Sequence, residues 1–444
     1  MTSERAARVV FSLLIVTASV APPASAQPSL SLPEAIRRAR AHNPDVATAA
    51  AAEREAAERV VQARGGFFPR VDISESWQRG TNPAFVFGSL LAQRQFTAAD
   101  FALDALNHPA PTDNFRAAFS VEQTLFDRGT AANVRAATIE REMAATAKEL
   151  VHQDLASAVT DAFGRVLSAA ATVRSAAAAV ETVRADRELA GNRHDAGRAT
   201  EADVLQLDVH LARTLEHQVY AVSDERIARA RLNQLMGEPL TAMFSLDSDP
   251  PAIAMDITSP ADLEEQAVKN RSEVALARQQ ELLAAATVHA AQAAFLPQVS
   301  AQGAWELNGG TWNSRSSTWV VGTVARINLF RGFADRARLA EAREHAGRRV
   351  IARDKAETMV RLDVQIAIAR FESARASEMV GRAVAESARA SHRIIRDRYE
   401  SGLADVAVLL RAAEAVEQAD AQQITALVNV ITATASLRRA IGRL

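Results

Sequence analysis

Four short runs along the chain alternate apolar and polar positions. Val71, Ile73 and Trp77 alternate with Asp72, Ser74, Ser76 and Gln78, and Phe115, Ala117, Phe119, Val121 and Leu125 with Arg116, Ser120, Glu122 and Thr124. Further on, Val299, Ala301, Trp305 and Leu307 alternate with Ser300, Gln302 and Glu306, and Trp319, Val321, Ala325, Ile327 and Leu329 with Gly322, Arg326 and Asn328. A period of two is that of a strand with one apolar face, so four strands are predicted; Glu75 alone breaks the first run. Elsewhere the pattern is helical. From Gly129 to Gly197 and from Gly332 to Gly402 the chain advances 68 and 70 positions without a proline. At ~1.5 Å per residue each of these helices approaches 100 Å, a length no compact globule requires. Ala169-Ala170-Ala171 and Ala176 to Ala179 permit close helix approach, while Arg and Glu cover the wetter faces.

The order helix, strand, strand, very long helix, turn, long helix occurs twice. Val46, Glu53, Val60, Phe67, Pro69 and Val71 recur 228 positions later as Val274, Glu281, Val288, Phe295, Pro297 and Val299. Each copy ends in aromatic–x–Pro–x–Val, where a proline stops a helix and an extended run begins. Leu125-Phe126 recurs as Leu329-Phe330, followed within three residues by Gly129 or Gly332. Gly197 and Gly237 recur as Gly402 and Gly442, both at a shift of 205. Four punctuation points in one order indicate two tandem repeats, about 30–240 and 260–444, within a unit spanning 27–444.

Composition then separates two readings of the strands. A small sheet lying on a soluble core would show the same alternation. All four tryptophans (Trp77, Trp305, Trp312, Trp319) and twelve of the sixteen phenylalanines, however, lie in residues 67–126 and 295–333. That concentration fits the outward apolar band of a membrane barrel with interfacial aromatics. At the N-terminus, Arg5 and Arg8 precede apolar Val9–Val20, and Pro22-Pro23 leads to Ala24-Ser25-Ala26, so residues 1–26 read as an export signal cleaved after Ala26. Every later apolar stretch is interrupted by Arg, Glu or Asp, so no membrane-spanning helix is expected.

Charge and chemistry narrow the function. Fifty-three acids nearly cancel fifty-one bases, which argues against nucleic acid as a partner. The absence of cysteine removes disulfides, thiolate chemistry and lipid attachment at an N-terminal cysteine. Nine scattered histidines, with no His-Glu zinc motif and no Gly-rich phosphate loop, give no catalytic, cofactor or metal site, so the chain is not expected to be an enzyme. Four strands cannot close a barrel, and an open edge in hydrocarbon leaves backbone groups unpaired at several kcal/mol each. Protomers must then combine, two giving eight strands and three giving twelve, with their helices continuing the pore as a tube.

The segment "ARAHNPDV" to "ARGGFFPRVDIS", its counterpart "NRSEV" to "AFLPQVS", the junctions "LFDRG" and "INLFRG", the tips "RHDAGRATEADVL" and "RYESGLADVAVLL" and the endings "LNQLMG" and "LRRAIG" resemble the TolC-like outer membrane efflux protein family across residues 30–444. The resemblance implies a mainly α fold with a transmembrane β-barrel portion: a homotrimer with four strands per protomer in a shared 12-stranded barrel, embedded in outer membrane lipid of a Gram-negative bacterium, and a periplasmic tunnel of long antiparallel helices. It further implies an export channel of a tripartite efflux or type I secretion system, docking onto a periplasmic adaptor and an inner membrane pump. A periplasmic adaptor protein with long helical hairpins is the alternative, although it would lack two tryptophan-rich strand pairs.

Three regions carry single-residue expectations. The first strand connection is 24 residues longer than the second, and its "NPAFVFGSLLAQRQF" run is either an ordered external lid packed by Phe85, Phe87 and Phe96 or a loose surface loop. Gly197 and Gly402 suit a turn needing positive φ, and the resemblance implies adaptor contact at Ala196-Gly197-Arg198 and Ser401-Gly402-Leu403. The family often places acids just past the tips, which singles out Asp203, Tyr399 and Asp405 as a periplasmic aperture. Val408 and Arg411 stand where the second repeat's acids would be, so an acidic ring is incomplete. Asp203 and Asp405 also read as ordinary helix-start acids, and Tyr399 with Asp203 forms a candidate hydrogen-bonded lock.

Overall fold

A computed structural model describes residues 29–246 and 259–443. The export signal expected over residues 1–26 lies outside them. In chain order the elements are β1 (Ser29–Leu30), α1 (Leu32–His42), α2 (Pro44–Gly65), β2 (Arg70–Gly80), α3 (Pro83–Ala92), a 3-10 turn (Ala98–Phe101), α4 (Leu103–Asn107), β3 (Thr112–Phe126), α5 (Arg128–Asp195) and α6 (Glu201–Met236). There follow β4 (Ser245–Leu246), α7 (Pro260–Asn270), α8 (Ser272–Ala293), β5 (Gln298–Thr311), β6 (Ser314–Arg326), α9 (Ala334–Glu400) and α10 (Val406–Ala440). The helix expected before each strand pair is in fact two helices meeting at an elbow. Asn43 makes the first elbow: its side chain accepts from Asp45 N at 2.8 Å, capping α2, and donates to Leu235 O at 3.0 Å. At the equivalent second elbow Arg271 caps nothing with its side chain and instead bonds Glu273 and, at 3.0 Å, Asp363.

The two long helices, 68 and 67 residues, run uninterrupted as expected. One alanine-rich window of α5 is apolar enough by composition to cross a membrane, contrary to the expectation that charges interrupt every such stretch. Alanine accounts for that apolarity, and α5 uses its faces to pack along α2, α6, α8 and α10. The core is divided in the same way as the sequence. Leu155, Val159, Phe163 and Val166 of α5 pack with Leu232 and Met236 of α6, with α1, and with Leu30 of β1. Val360, Val364, Ile368 and Phe371 of α9 pack with Leu437 and Ile441, with α7, and with Val274 of α8. In both helices the buried positions recur every three or four residues, the stripe that binds one helix to its neighbours. A parallel pairing of β1 with β4 adds a two-stranded clasp that no periodicity announced.

Where the strand runs end also differs. Ile327 and Leu329 were expected to continue the last strand, but β6 stops at Arg326. The reason is local: Asn328 donates to Asp335 at 2.6 Å, and Gly332 and Phe333 both take left-handed φ, turning the chain into α9.

The end of each repeat closes on its own elbow through a glycine. Gly237 has φ +70°, and a Cβ there would lie 2.6 Å from His42 O; Gly442 has φ +70°, and its Cβ would lie 2.8 Å from Asn270 Cβ. Gly332 has φ +59° but open space around it. Substitution by alanine should therefore separate strain from collision. Gly332→Ala is expected to cost about 1 kcal/mol, the left-handed penalty alone, whereas Gly237→Ala and Gly442→Ala should lower the thermal midpoint of the purified protein distinctly further. Equal midpoints for all three would refute the close approach.

Candidate functional site

The four long strands form one antiparallel sheet in the order β2-β3-β5-β6. Its register sorts side chains into cross-strand rows. Val71, Val121, Gly303 and Val321 make one row, Ile73, Phe119, Trp305 and Trp319 the next, and Trp77 stands beside Phe115. Phe115 also meets the Trp312 ring edge-on, with centroids 6.4 Å apart. The opposite face carries Asp72, Ser74, Ser76, Asn114, Arg116, Ser120, Glu122, Gln302, Glu306 and Asn308, with Arg116 Nε 3.0 Å from Glu306 Oε2. Among the described residues nothing covers the apolar face: Ile73 is 80% exposed, Trp319 76% and Val321 73%. Glu75, the residue that broke the alternation, is neutralised on that face by Arg315 at 2.9 Å, whose guanidinium lies over the Trp312 ring.

The long first connection is ordered. Phe87, Phe96 and Phe101 pack edge to face, with centroids 4.8 to 6.4 Å apart. Phe85, expected in that cluster, sits instead against Gly80. The segment lies over the polar face, where Gln93, 3% exposed, donates to Asp113 O and Asn114 Oδ1. Sequence reasoning did not single out Gln93, because its partners are twenty positions and more away.

At the other end of the molecule the two helical turns lie side by side. Gly197 (φ +69°) and Gly402 (φ +79°) terminate α5 and α9 in left-handed conformation. In each, the next residue's N–H bonds back to a carbonyl five positions earlier: Arg198 N to Arg193 O at 2.7 Å and Leu403 N to Arg398 O at 2.8 Å. Ala196, Gly197, Arg198, Ser401, Gly402 and Leu403 are all exposed. Thr200 and Asp203 form a reciprocal capping box on α6, with Thr200 N donating to Asp203 Oδ2 at 2.9 Å, and Asp405 caps α10 through Val408 N at 2.9 Å.

The expected lock is not formed within the protomer. Asp203 accepts from Thr200 N through one carboxylate oxygen, and the Tyr399 hydroxyl, on a residue only 2% exposed, has no hydrogen-bond partner among the described residues. Tyr399 packs with Ala190, Leu207, Val406 and Leu409, and the Arg193 guanidinium lies 4.4 Å from its ring centroid. Burial pushes its phenol up, Arg193 opposes, and Asp203 and Asp186 add to the rise. A buried polar link between the repeats lies one to two turns deeper than Tyr399. Asp186 of α5, nearly fully buried, meets His392 Nε2 at 3.3 Å and Arg396 Nε at 3.1 Å on α9. A pairing across 206 positions leaves no local signal, though a lone Asp among the apolar residues of one helix face was the hint available.

The comparisons with known proteins follow the same outline. The family model for outer membrane efflux protein matches residues 35–238 and 263–443. Protein CyaE of Bordetella pertussis is 28% identical over 416 residues, covering 88% of this chain and 79% of that protein. The outer-membrane channel OprN has a TM-score of 0.78 at 21% identity, covering 93% of this chain and 89% of its own. VceC, an outer membrane protein from Vibrio cholerae, has a TM-score of 0.76 at 17% identity, covering 93% and 96%. At those identities the solved structures establish the fold, a mainly helical protomer with a small sheet at one end. With the family model matching both halves, the chain belongs to the outer membrane efflux protein family.

Proposed function

We propose that three copies of this chain form an outer membrane export conduit of a tripartite efflux or type I secretion system, a passage in which no chemical step takes place. One observation carries the reading: a sheet with an uncovered apolar face and two edges unpaired among the described residues, β2 and β6, continues into helices of 68 and 67 residues, the first through Asp127 alone and the second through the turn at 327–333. In hydrocarbon those edges need partners, and only further copies of the sheet supply them. Strand spacing of ~4.8 Å and a tilt of ~40° give eight strands a ring about 16 Å across, which side chains fill, and twelve strands one of about 24 Å. Three protomers leave a bore; two do not. The row Ile73, Phe119, Trp305, Trp319 then faces lipid, and Trp77 with Trp312 lies toward the outer rim, where the Glu75–Arg315 pair reaches headgroups. Arg116 and Glu306 face the water-filled interior.

At the far end the exposed turns at Ala196-Gly197-Arg198 and Ser401-Gly402-Leu403 form the surface that meets a periplasmic adaptor, and through it an inner membrane pump. Asp203, Tyr399 and Asp405 stand within two helical turns of those tips, so threefold symmetry gathers three copies of each around the tunnel mouth. Of the three, Asp405 is exposed and Asp203 half-buried, so these can meet a neighbouring copy, while the Tyr399 hydroxyl is buried within its own protomer.

Two experiments test the reading. Val321→Arg places a charge on the lipid face and should cost ~2–4 kcal/mol per protomer if near the midplane, sharply reducing heat-modifiable trimer in outer membrane fractions; wild-type trimer yield would count against the barrel. At the tips, Gly197→Trp and Gly402→Trp should abolish export and adaptor co-purification while leaving trimers intact. Gly197→Asn, which tolerates the left-handed backbone, should retain both. Normal export by the two tryptophan variants would remove the tips from docking.

A further inference from the structure

The β2–β3 connection is built as a latched element. α3 presents Val86 and Ser89 to the sheet, and Gln93 follows on the same side; all three are buried. Gln93 Nε2 donates to Asp113 O at 2.8 Å and to Asn114 Oδ1 at 3.1 Å, and Ser316 Oγ donates to Gln93 O at 2.8 Å. Arg94 Nη2 donates to Ser317 O at 3.1 Å, and Asn114 Nδ2 to Asn308 Oδ1 at 3.1 Å. Asn114, Asn308 and Ser316 belong to the polar face, the face a barrel turns toward its interior. The segment therefore folds into the lumen side, not over the lipid side. On the far side of α3, Ala84, Gly88 and Leu91 are uncovered, and beyond it Phe101 and Leu103 are 65% and 77% exposed.

We propose that the 83–107 segments of three copies meet one another across the barrel axis and close its outer mouth, each held in place by the Gln93 latch. The inference rests on the trimeric barrel proposed above. The partner follows from dimensions. A helix with its side chains is ~10 Å wide, and inward side chains narrow the ~24 Å backbone ring to a passage smaller than three such helices, so segments seated on the polar face of three copies reach one another at the axis. Three seated lids leave no free bore. Contact among them also covers apolar groups that a single copy leaves facing water, and Ala84 and Gly88 let the helices approach closely. The Gln93 and Ser316 bonds are neutral, Arg94 adds one charged donor at the exposed side, and water in the lumen can replace all of them, so the closed and open states exchange without unfolding the sheet.

The chain has no cysteine, so introduced thiols report cleanly. Ser120→Cys lies on the polar face, six positions from Asn114 toward the helical end of the strand. In intact cells a membrane-impermeant maleimide added outside should label it slowly in the otherwise unaltered protein. Labelling should become about tenfold faster with Gln93→Ala and Ser316→Ala together, and at least as fast when residues 83–107 are replaced by a short Asn-Gly turn. Should the deletion fail to assemble, the latch double variant decides alone. In a separate sample, Leu91→Cys should be joined into covalent dimers by a short bis-maleimide. Equal labelling rates with and without the latch, or no cross-linking at Leu91→Cys, in a protein that runs as a heat-modifiable trimer would overturn the lid and leave the barrel standing. Absence of the trimer itself would overturn the barrel reading instead.

Discussion

A peptide group without a hydrogen-bond partner is tolerable in water and costly in hydrocarbon, and in this protein that difference governs everything else. β2 and β6 are edges with no partner among the described residues of their own chain. Pairing them requires other copies, and the number of copies sets the width of the bore. It also sets the ring on which the helices must stand, since β3 passes into α5 through Asp127 alone, whose carboxylate caps the helix at Gly129 N and Thr130 N. At that junction the sheet and the helix amount to one body, whereas β6 reaches α9 only through the turn at Gly332 and Phe333.

Duplication makes such a body from half the information. Each repeat closes a core of its own, around Phe163 in one and Phe371 in the other, and each seals its end by pressing a glycine onto an elbow. The repeats diverge where chemistry is added. Asn43 and Arg271 hold matching elbows in nearly the same backbone conformation, the first with a helix cap and the second with ion pairs from a buried guanidinium to Glu273 and Asp363. The first strand connection carries the lid, and the second is a tight turn between β5 and β6.

What the sequence disclosed follows the range of each interaction. A period of two identified all four long strands and, through register, their apolar face. Proline-free runs between Gly129 and Gly197 and between Gly332 and Gly402 gave the long helices to within two residues. The elbows were missed because alanine-rich α1 and α2 have no contrast at the break; only Asn43-Pro44 marks it. Asp186 with His392 and Gln93 with Asn114 were invisible for another reason: neither partner alters the pattern around the other. The expected Tyr399–Asp203 bond is absent within the protomer, where Asp203 joins Thr200 in a capping box and Tyr399 is buried against Leu207 and Val406.

The two tips share a backbone and little else. Both turn through a left-handed glycine and the same five-position return bond, yet one offers Arg198 and the other Leu403. Around a threefold axis, six turns of equal shape would alternate cationic and apolar. A binding protein that reads only shape would count six sites; one that reads side chains would count three of each. Stoichiometry at the tunnel end is thereby a matter of what the partner senses, and changing Arg198 or Leu403 to match the other would convert one count into the other without altering the fold.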